Sequence, residues 1–144
     1  MIAAVGRAKA GPERSLYDHY ASRLTPAPLL REVEVKKPLP LPRRREEEGA
    51  LLLAQVPAGA RLIVLDERGQ SLGSEDLART IADWASLACV IGGADGHTEA
   101  VRAKADLVLS LGRLTWPHML VRGLLAEQLY RARCILDGHP YHRT

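Results

Sequence analysis

Phenylalanine is absent from this chain of 144 residues, and two Trp and four Tyr are all its aromatic mass. Any core must therefore be filled by Leu, Val, Ala and Ile. Cysteine occurs only as Cys89 and Cys134, far apart and without CxxC spacing, so neither a disulfide framework nor a zinc site is expected. Long apolar runs are missing as well. Met1–Val5 is too short for a signal-peptide core before Gly6, Arg7 and Lys9, and nothing approaches the ~20 residues of a membrane span. A cytoplasmic protein without membrane contact is the expectation. Two common phosphate-binding fingerprints are also lacking: there is no GxGxxG, and no Gly-Lys-Ser/Thr closes a Walker A loop.

What is present is an ordinary globular composition, 47% hydrophobic and 26% charged, of a length that suits one domain over residues 1–144. The net charge of +3 permits an anionic partner such as RNA, but mild basicity alone assigns none.

Met1–Val5 is expected to be a short buried strand ended by Gly6. Leu16, Tyr20 and Leu24 share one face at i, i+4, i+8, which predicts a helix from about Pro12 to Leu24, broken by Pro26 and Pro28. Arg31–Val35 alternates as a half-exposed strand would. Pro38, Pro40 and Pro42 make Lys36–Arg45 a loop, since alternating prolines exclude helix and central strand. Its Lys36, Lys37, Arg43, Arg44 and Arg45 could touch phosphates. Alternatively, Arg43 with Glu47 and Arg44 with Glu48 pair at i, i+4 on the solvated start of a helix to about Gln55.

From Arg61 the pattern becomes regular. Strand Leu62–Leu65 ends at Asp66, and a loop with Arg68, Gly69 and Gly73 leads to a helix N-capped by Ser74 that turns Leu77 and Ile81 inward. Strand Ala88–Ile91, the loop Gly92–Gly96, a short helix near Thr98–Ala103, strand Leu107–Leu109 and the loop Ser110–Trp116 follow. Pro117 suits the first position of a long helix to about Leu136. Short apolar strands alternating with helices predict an α/β fold, a mostly parallel sheet with helices on both faces.

In such a sheet, ligands bind at the carboxyl ends of the strands. Three ends carry unusual residues: Leu65-Asp66, Gly92-Gly93-Ala94-Asp95-Gly96 and Ser110–Trp116. Three glycines in five residues allow a ligand close to the backbone, or equally a tight strand-to-helix turn. His118, in the first turn of the long helix, and His97, beside the glycine loop, are each as readily structural as functional. The tail Gly138-His139-Pro140-Tyr141-His142-Arg143 is denser in chemistry. Two His, a Tyr and an Arg within six residues suit a segment folded over a site, the alternative being a frayed end.

These residues together resemble the RlmH family of SPOUT-class methyltransferases. The matching stretches are Val64-Leu65-Asp66-Glu67-Arg68-Gly69, Val90-Ile91-Gly92-Gly93-Ala94-Asp95-Gly96 and Leu109-Ser110-Leu111-Gly112-Arg113-Leu114-Thr115-Trp116-Pro117-His118. Glu127-Gln128-Leu129-Tyr130-Arg131-Ala132 and Gly138-His139-Pro140-Tyr141-His142 complete the series. The resemblance spans nearly the whole chain. It implies a C-terminal trefoil knot, against the general rule that chains do not knot, and a homodimer with each active site near the subunit interface. It implies S-adenosyl-L-methionine as cofactor, held by Leu65, Gly92, Gly93, Leu111, Gly112, Arg113, Leu114, Thr115 and Trp116, and no metal. Tyr141, His142 and Arg143 match the family's catalytic, substrate-side segment. Gly112-Arg113 and His97 depart from the family's usual residues.

The implied reaction is methylation of N3 of a pseudouridine in large-subunit ribosomal RNA. An assembled ribosome or subunit is the expected partner, because the chain has no separate RNA-binding module. In that reaction His142 or Tyr141 would assist proton removal or orient the base, and Arg143 would hold a phosphate or the base carbonyl. A non-catalytic RNA-binding or ribosome-assembly factor with the same fold is the main alternative. It leaves the glycine loop and the tail without a purpose. A nucleotide-binding α/β enzyme of another kind is disfavoured by the missing phosphate fingerprints.

Overall fold

Strands and helices alternate through residues 1–143, which the computed structural model describes: β1 (Ile2–Val5), α1 (Pro12–Ala21), β2 (Leu30–Val33), α2 (Leu41–Ala54), β3 (Arg61–Gln70), α3 (Ser74–Ile81), β4 (Leu87–Ile91), α4 (Glu99–Arg102), β5 (Leu107–Leu109) and α5 (His118–Leu136). The strands form one parallel sheet in the order β2-β1-β4-β3-β5.

Period-two alternation divides the apolar residues between two cores. Ile2, Ala4, Ile63, Leu65, Cys89 and Ile91 face α1, α3 and α5, whereas Ala3, Val5, Leu62, Val64, Ala88 and Val90 face α2 and α4. The strands buried on both sides are therefore the uninterrupted apolar runs of the sequence. Crossovers through α1 and α3 run toward one edge on the first face, and those through α2 and α4 run toward the other edge on the opposite face. All of them consequently share one hand, as crossovers in parallel sheets do. On α5, Gly123 brings the helix close to α1: a Cβ there would lie 2.6 Å from Leu16 Cδ2.

Several elements differ from expectation. The helix α1 stops at Ala21, with a turn bonding Ser22, Arg23 and Leu24 back to it. The proline loop is shorter than Lys36–Arg45, because α2 starts at Leu41 and accommodates Pro42 in its first turn, where a missing N–H breaks no helical bond. Neither Arg43–Glu47 nor Arg44–Glu48 forms an ion pair among the described residues; Arg45 instead donates to the His97 carbonyl at 2.7 Å. Ser74 is the first residue of α3 rather than its cap, and its hydroxyl donates to Gln128 Oε1 on α5 at 2.7 Å. Pro117 sits at the N-cap of α5.

The largest difference is in β3, which continues past Asp66 to Gln70. After a register shift, Gln70 pairs with Leu109, and Ser110 N–H donates to the Gln70 carbonyl at 2.9 Å. Gly69 makes this possible. A Cβ on it would lie 2.6 Å from the Val108 carbonyl oxygen. Residues Glu67–Gln70 are thus a strap laid tightly over the end of β5, and α3 continues it by packing against α5.

Candidate active site

The carboxyl ends of β3, β4 and β5 open onto one cavity of about 260 Å³. Leu65, Gly92, Gly93, Leu111, Gly112, Leu114, Thr115 and Trp116 all line it. Arg113 does not, although it lies in the same loop; its side chain is exposed. The apolar floor comes from Leu65, Ile91, Leu109, Leu111 and Val121, while Glu67, Arg68 and Asp95 add exposed charges at the rim.

Each loop has a local reason for its shape. In the β5–α5 loop the Ser110 hydroxyl donates to the Gly112 carbonyl at 2.9 Å and accepts from the Gly112 N–H at 3.2 Å. This tight turn needs the left-handed φ of 104° that Gly112 adopts. Trp116 Nε1 donates back to the Leu111 carbonyl at 3.3 Å, which folds the indole over the loop. In the glycine loop, a Cβ on Gly92 would stand 3.2 Å from the His97 ring, and one on Gly93 would stand 3.2 Å from Val5 Cγ1. The bare backbone of Gly92 and Gly93 is what the packing permits.

His97 is 3% exposed and belongs to this framework. Its carbonyl accepts from Arg45 and from Arg102 Nη1 at 2.8 Å, and Arg102 also holds Asp66 at 3.0 Å. The ends of β3 and β4 are thereby cross-tied, and the Asp66 carboxylate is occupied. Burial lowers the His97 pKa from the ordinary histidine value, against the opposing pull of Asp66. His118 reaches the same cavity from the first turn of α5. Burial, and then the Arg122 cation, lower its pKa as well.

The tail lies elsewhere on the same chain. Tyr141 Oη donates to Glu127 Oε1 at 3.0 Å and lies 3.4 Å from Tyr20 Oη; its ring packs edge-on against Tyr130 and under the Arg131 guanidinium. Arg131 Nη1 lies 3.2 Å from His142 Nδ1, which must accept, since a guanidinium only donates. His142 Nε2 lies 3.7 Å from Glu75. Burial first, then the hydrogen bonds to Tyr20 and Glu127, push the Tyr141 phenol well above its ordinary range. Arg143 is exposed. None of the three lines the cavity of its own chain. Glu127, Tyr130 and Arg131 lie in a stretch that carries the family resemblance, and Tyr20 on the apolar face of α1. No role as the dock for the tail was read for them, although the i, i+4 spacing of Glu127 and Arg131 was a usable signal.

Among the described residues, no helix is long and apolar enough to cross a membrane, and no group of His, Cys, Asp and Glu side chains is placed to hold a metal ion.

A family model described as "Predicted SPOUT methyltransferase" matches residues 1–142. The chain is 57% identical to the Ribosomal RNA large subunit methyltransferase H of Paramagnetospirillum magneticum, across 99% of this chain and 97% of the relative. It is 56% identical to the protein of the same name from Rhodospirillum rubrum, across 100% and 98%. The similarly named protein of Mesorhizobium japonicum is 50% identical, across 99% and 98%.

Proposed function

Since the chain belongs to the SPOUT methyltransferases, in the family of ribosomal RNA large subunit methyltransferase H, we propose that it methylates N3 of a pseudouridine in large-subunit ribosomal RNA with S-adenosylmethionine as donor. One observation carries the cofactor half. Eight of the nine residues expected from motif to hold the donor converge on a single cavity at the strand ends. The fit is chemical as well. Apolar Leu65, Ile91, Leu109 and Leu111 suit an adenine and a thioether chain, Glu67 and Asp95 suit hydroxyl or ammonium donors, and Arg68 suits a carboxylate. The cavity is somewhat smaller than the ~300 Å³ where enclosed small-molecule sites begin, and open to solvent, as a site must be that presents a methyl group to a second, large substrate.

When bound, S-adenosylmethionine supplies a methyl group on a sulfonium leaving group. The residues of the chain then have to align the pyrimidine nitrogen and take up its proton. Tyr141 is a poor proton acceptor, because its phenol is held protonated. His142, an imidazole, is the better one by side-chain type, once its Nδ1 is released from Arg131. Arg143, exposed and next in sequence, would hold a phosphate or the base carbonyl. Because the tail does not reach its own cavity, we assign the working site to a homodimer in which the tail of one copy meets the cavity of the other. The working compartment is the cytoplasm, with the ribosome or large subunit as partner.

Mass spectrometry of ribosomal RNA from a strain deleted for this gene, before and after complementation, tests the reading. A methylated pseudouridine that disappears and returns supports it. Unchanged RNA, with the purified protein still bound to ribosomes, would favour the non-catalytic factor.

A further inference from the structure

The basic residues are unevenly placed. Ten of the twenty Lys and Arg fall between Arg7 and Arg45, with only four of the seventeen acidic residues. The fold sorts them further. β1 and β2 are adjacent parallel strands, so the β1–α1 loop and the β2–α2 loop leave the same edge of the sheet side by side. That edge is the carboxyl one, shared with the cavity. Arg7 and Lys9 lie on the first loop; Lys36, Lys37 and the start of α2 at Arg43 lie on the second. All five are exposed, and none has an Asp or Glu partner among the described residues.

Two features make this more than a scatter of surface charge. The nearby Glu32 is already neutralised by the buried Arg122, whose Nη1 donates to it at 2.6 Å, and its oxygen also accepts from Ala8 N–H at 2.8 Å. The loop carrying Arg7 and Lys9 is thereby pinned, and the acid beneath it contributes no free negative charge. Among the described residues, Glu34 between the two loops and Glu46, one turn along α2 from Arg43, stand exposed without an ion pair beside the patch. The patch is also continuous with the cavity. Gly6 abuts His118, and Arg45, two residues along α2 from Arg43, lines the cavity wall.

We propose that these two loops form the surface that grips the RNA backbone beside the target nucleotide, the phosphates lying across Arg7, Lys9, Lys36, Lys37 and Arg43. This rests on the RNA methyltransferase reading above. Phosphate contacts of this kind position a substrate without reading its sequence, and each adds to the salt dependence of binding.

The test is co-sedimentation with bacterial large ribosomal subunits across a salt series, for wild type, R7E/K9E, K36E/K37E and the control K104E. Lys104 is exposed at the opposite, amino end of the sheet, between α4 and β5. Each double variant should bind about tenfold more weakly and lower the log–log salt slope by about 1.5 to 2. K104E should match wild type, and calorimetry with S-adenosylmethionine should be unchanged throughout. Wild-type affinity and slope in both double variants, or an equal loss in K104E, would overturn the surface. Charge-dependent binding by a protein that transfers no methyl group would uphold the surface and sink the catalytic reading instead.

Discussion

Arg122 of α5 and Glu32 of β2 meet at 2.6 Å, ninety residues apart in sequence, in one of the few buried ion pairs of the chain. Arg122 is 1% exposed, and its Nη2 also donates to the carbonyls of Val5 and Gly6. One guanidinium therefore ties the last helix to the ends of the first two strands. R122L should lower unfolding stability by about 3 kcal/mol, because it leaves the Glu32 carboxylate without its cation and takes a donor from two carbonyls. E32Q keeps an acceptor and should cost about 1 kcal/mol. Urea midpoints measure both, and an R122L midpoint equal to wild type would remove the tie from the account.

Stability should fall with pH in two stages. The folded pKa of His97 lies below its ordinary value of 6.5, so below that value the unfolded chain binds the extra proton. Stability is fully present above 6.5 and declines as pH drops toward the folded pKa. At Glu32 burial acts to raise the pKa, but the Ala8 N–H and Arg122 outweigh it. Its contribution is present above about 4.5 and is lost as pH falls through the depressed folded value. H97Q should flatten the first stage and E32Q the second. A variant whose urea midpoint tracks wild type through its own pH window would refute that assignment.

Gly92→Ala tests the cavity. The new Cβ would press on the His97 ring and on Gly96 C at 3.2 Å, pushing the loop into the space the donor needs. Binding of S-adenosylmethionine should weaken at least about tenfold, or 1.4 kcal/mol, with an unchanged far-ultraviolet spectrum. Unaltered calorimetric affinity would place the donor elsewhere.

The tail variants should separate by role. H142A should lower kcat by about a hundredfold with donor affinity intact, as loss of a proton acceptor does. Y141F should lose less, since the phenol keeps its proton. Mixing G92A with H142A protein, followed by subunit exchange at limiting donor, should raise methyl transfer above that of either protein alone. A mixture as inactive as its parts would mean that each chain uses its own tail.

Element order, the parallel sheet and strand Leu107–Leu109 were legible because buried strands are apolar runs and long helices carry a 3.6 period. The strap was not. Asp66-Glu67-Arg68-Gly69-Gln70 has no strand pattern, and it is extended because Gln70 pairs with a residue far along the chain. Arg122 gave no sign of burial either, since its acceptors are two backbone carbonyls and a carboxylate on distant strands. The cavity residues were placed by motif, and all but Arg113 converge. The docking of the tail on α5 depends on tertiary geometry that spacing does not encode. Membership of the SPOUT methyltransferases implies the C-terminal trefoil knot, a topology that no local pattern announces.

That strap also sets a schedule. Gly69 closes over Val108 and Leu109, and the cavity takes walls from residues as late as His118 and Val121. During synthesis the earlier strands emerge with their charges and glycines in place but with nothing to enclose. The cavity is complete only after α5 has seated itself against α1 and α3. The cavity is accordingly a late product of folding, made where segments far apart in sequence finally meet.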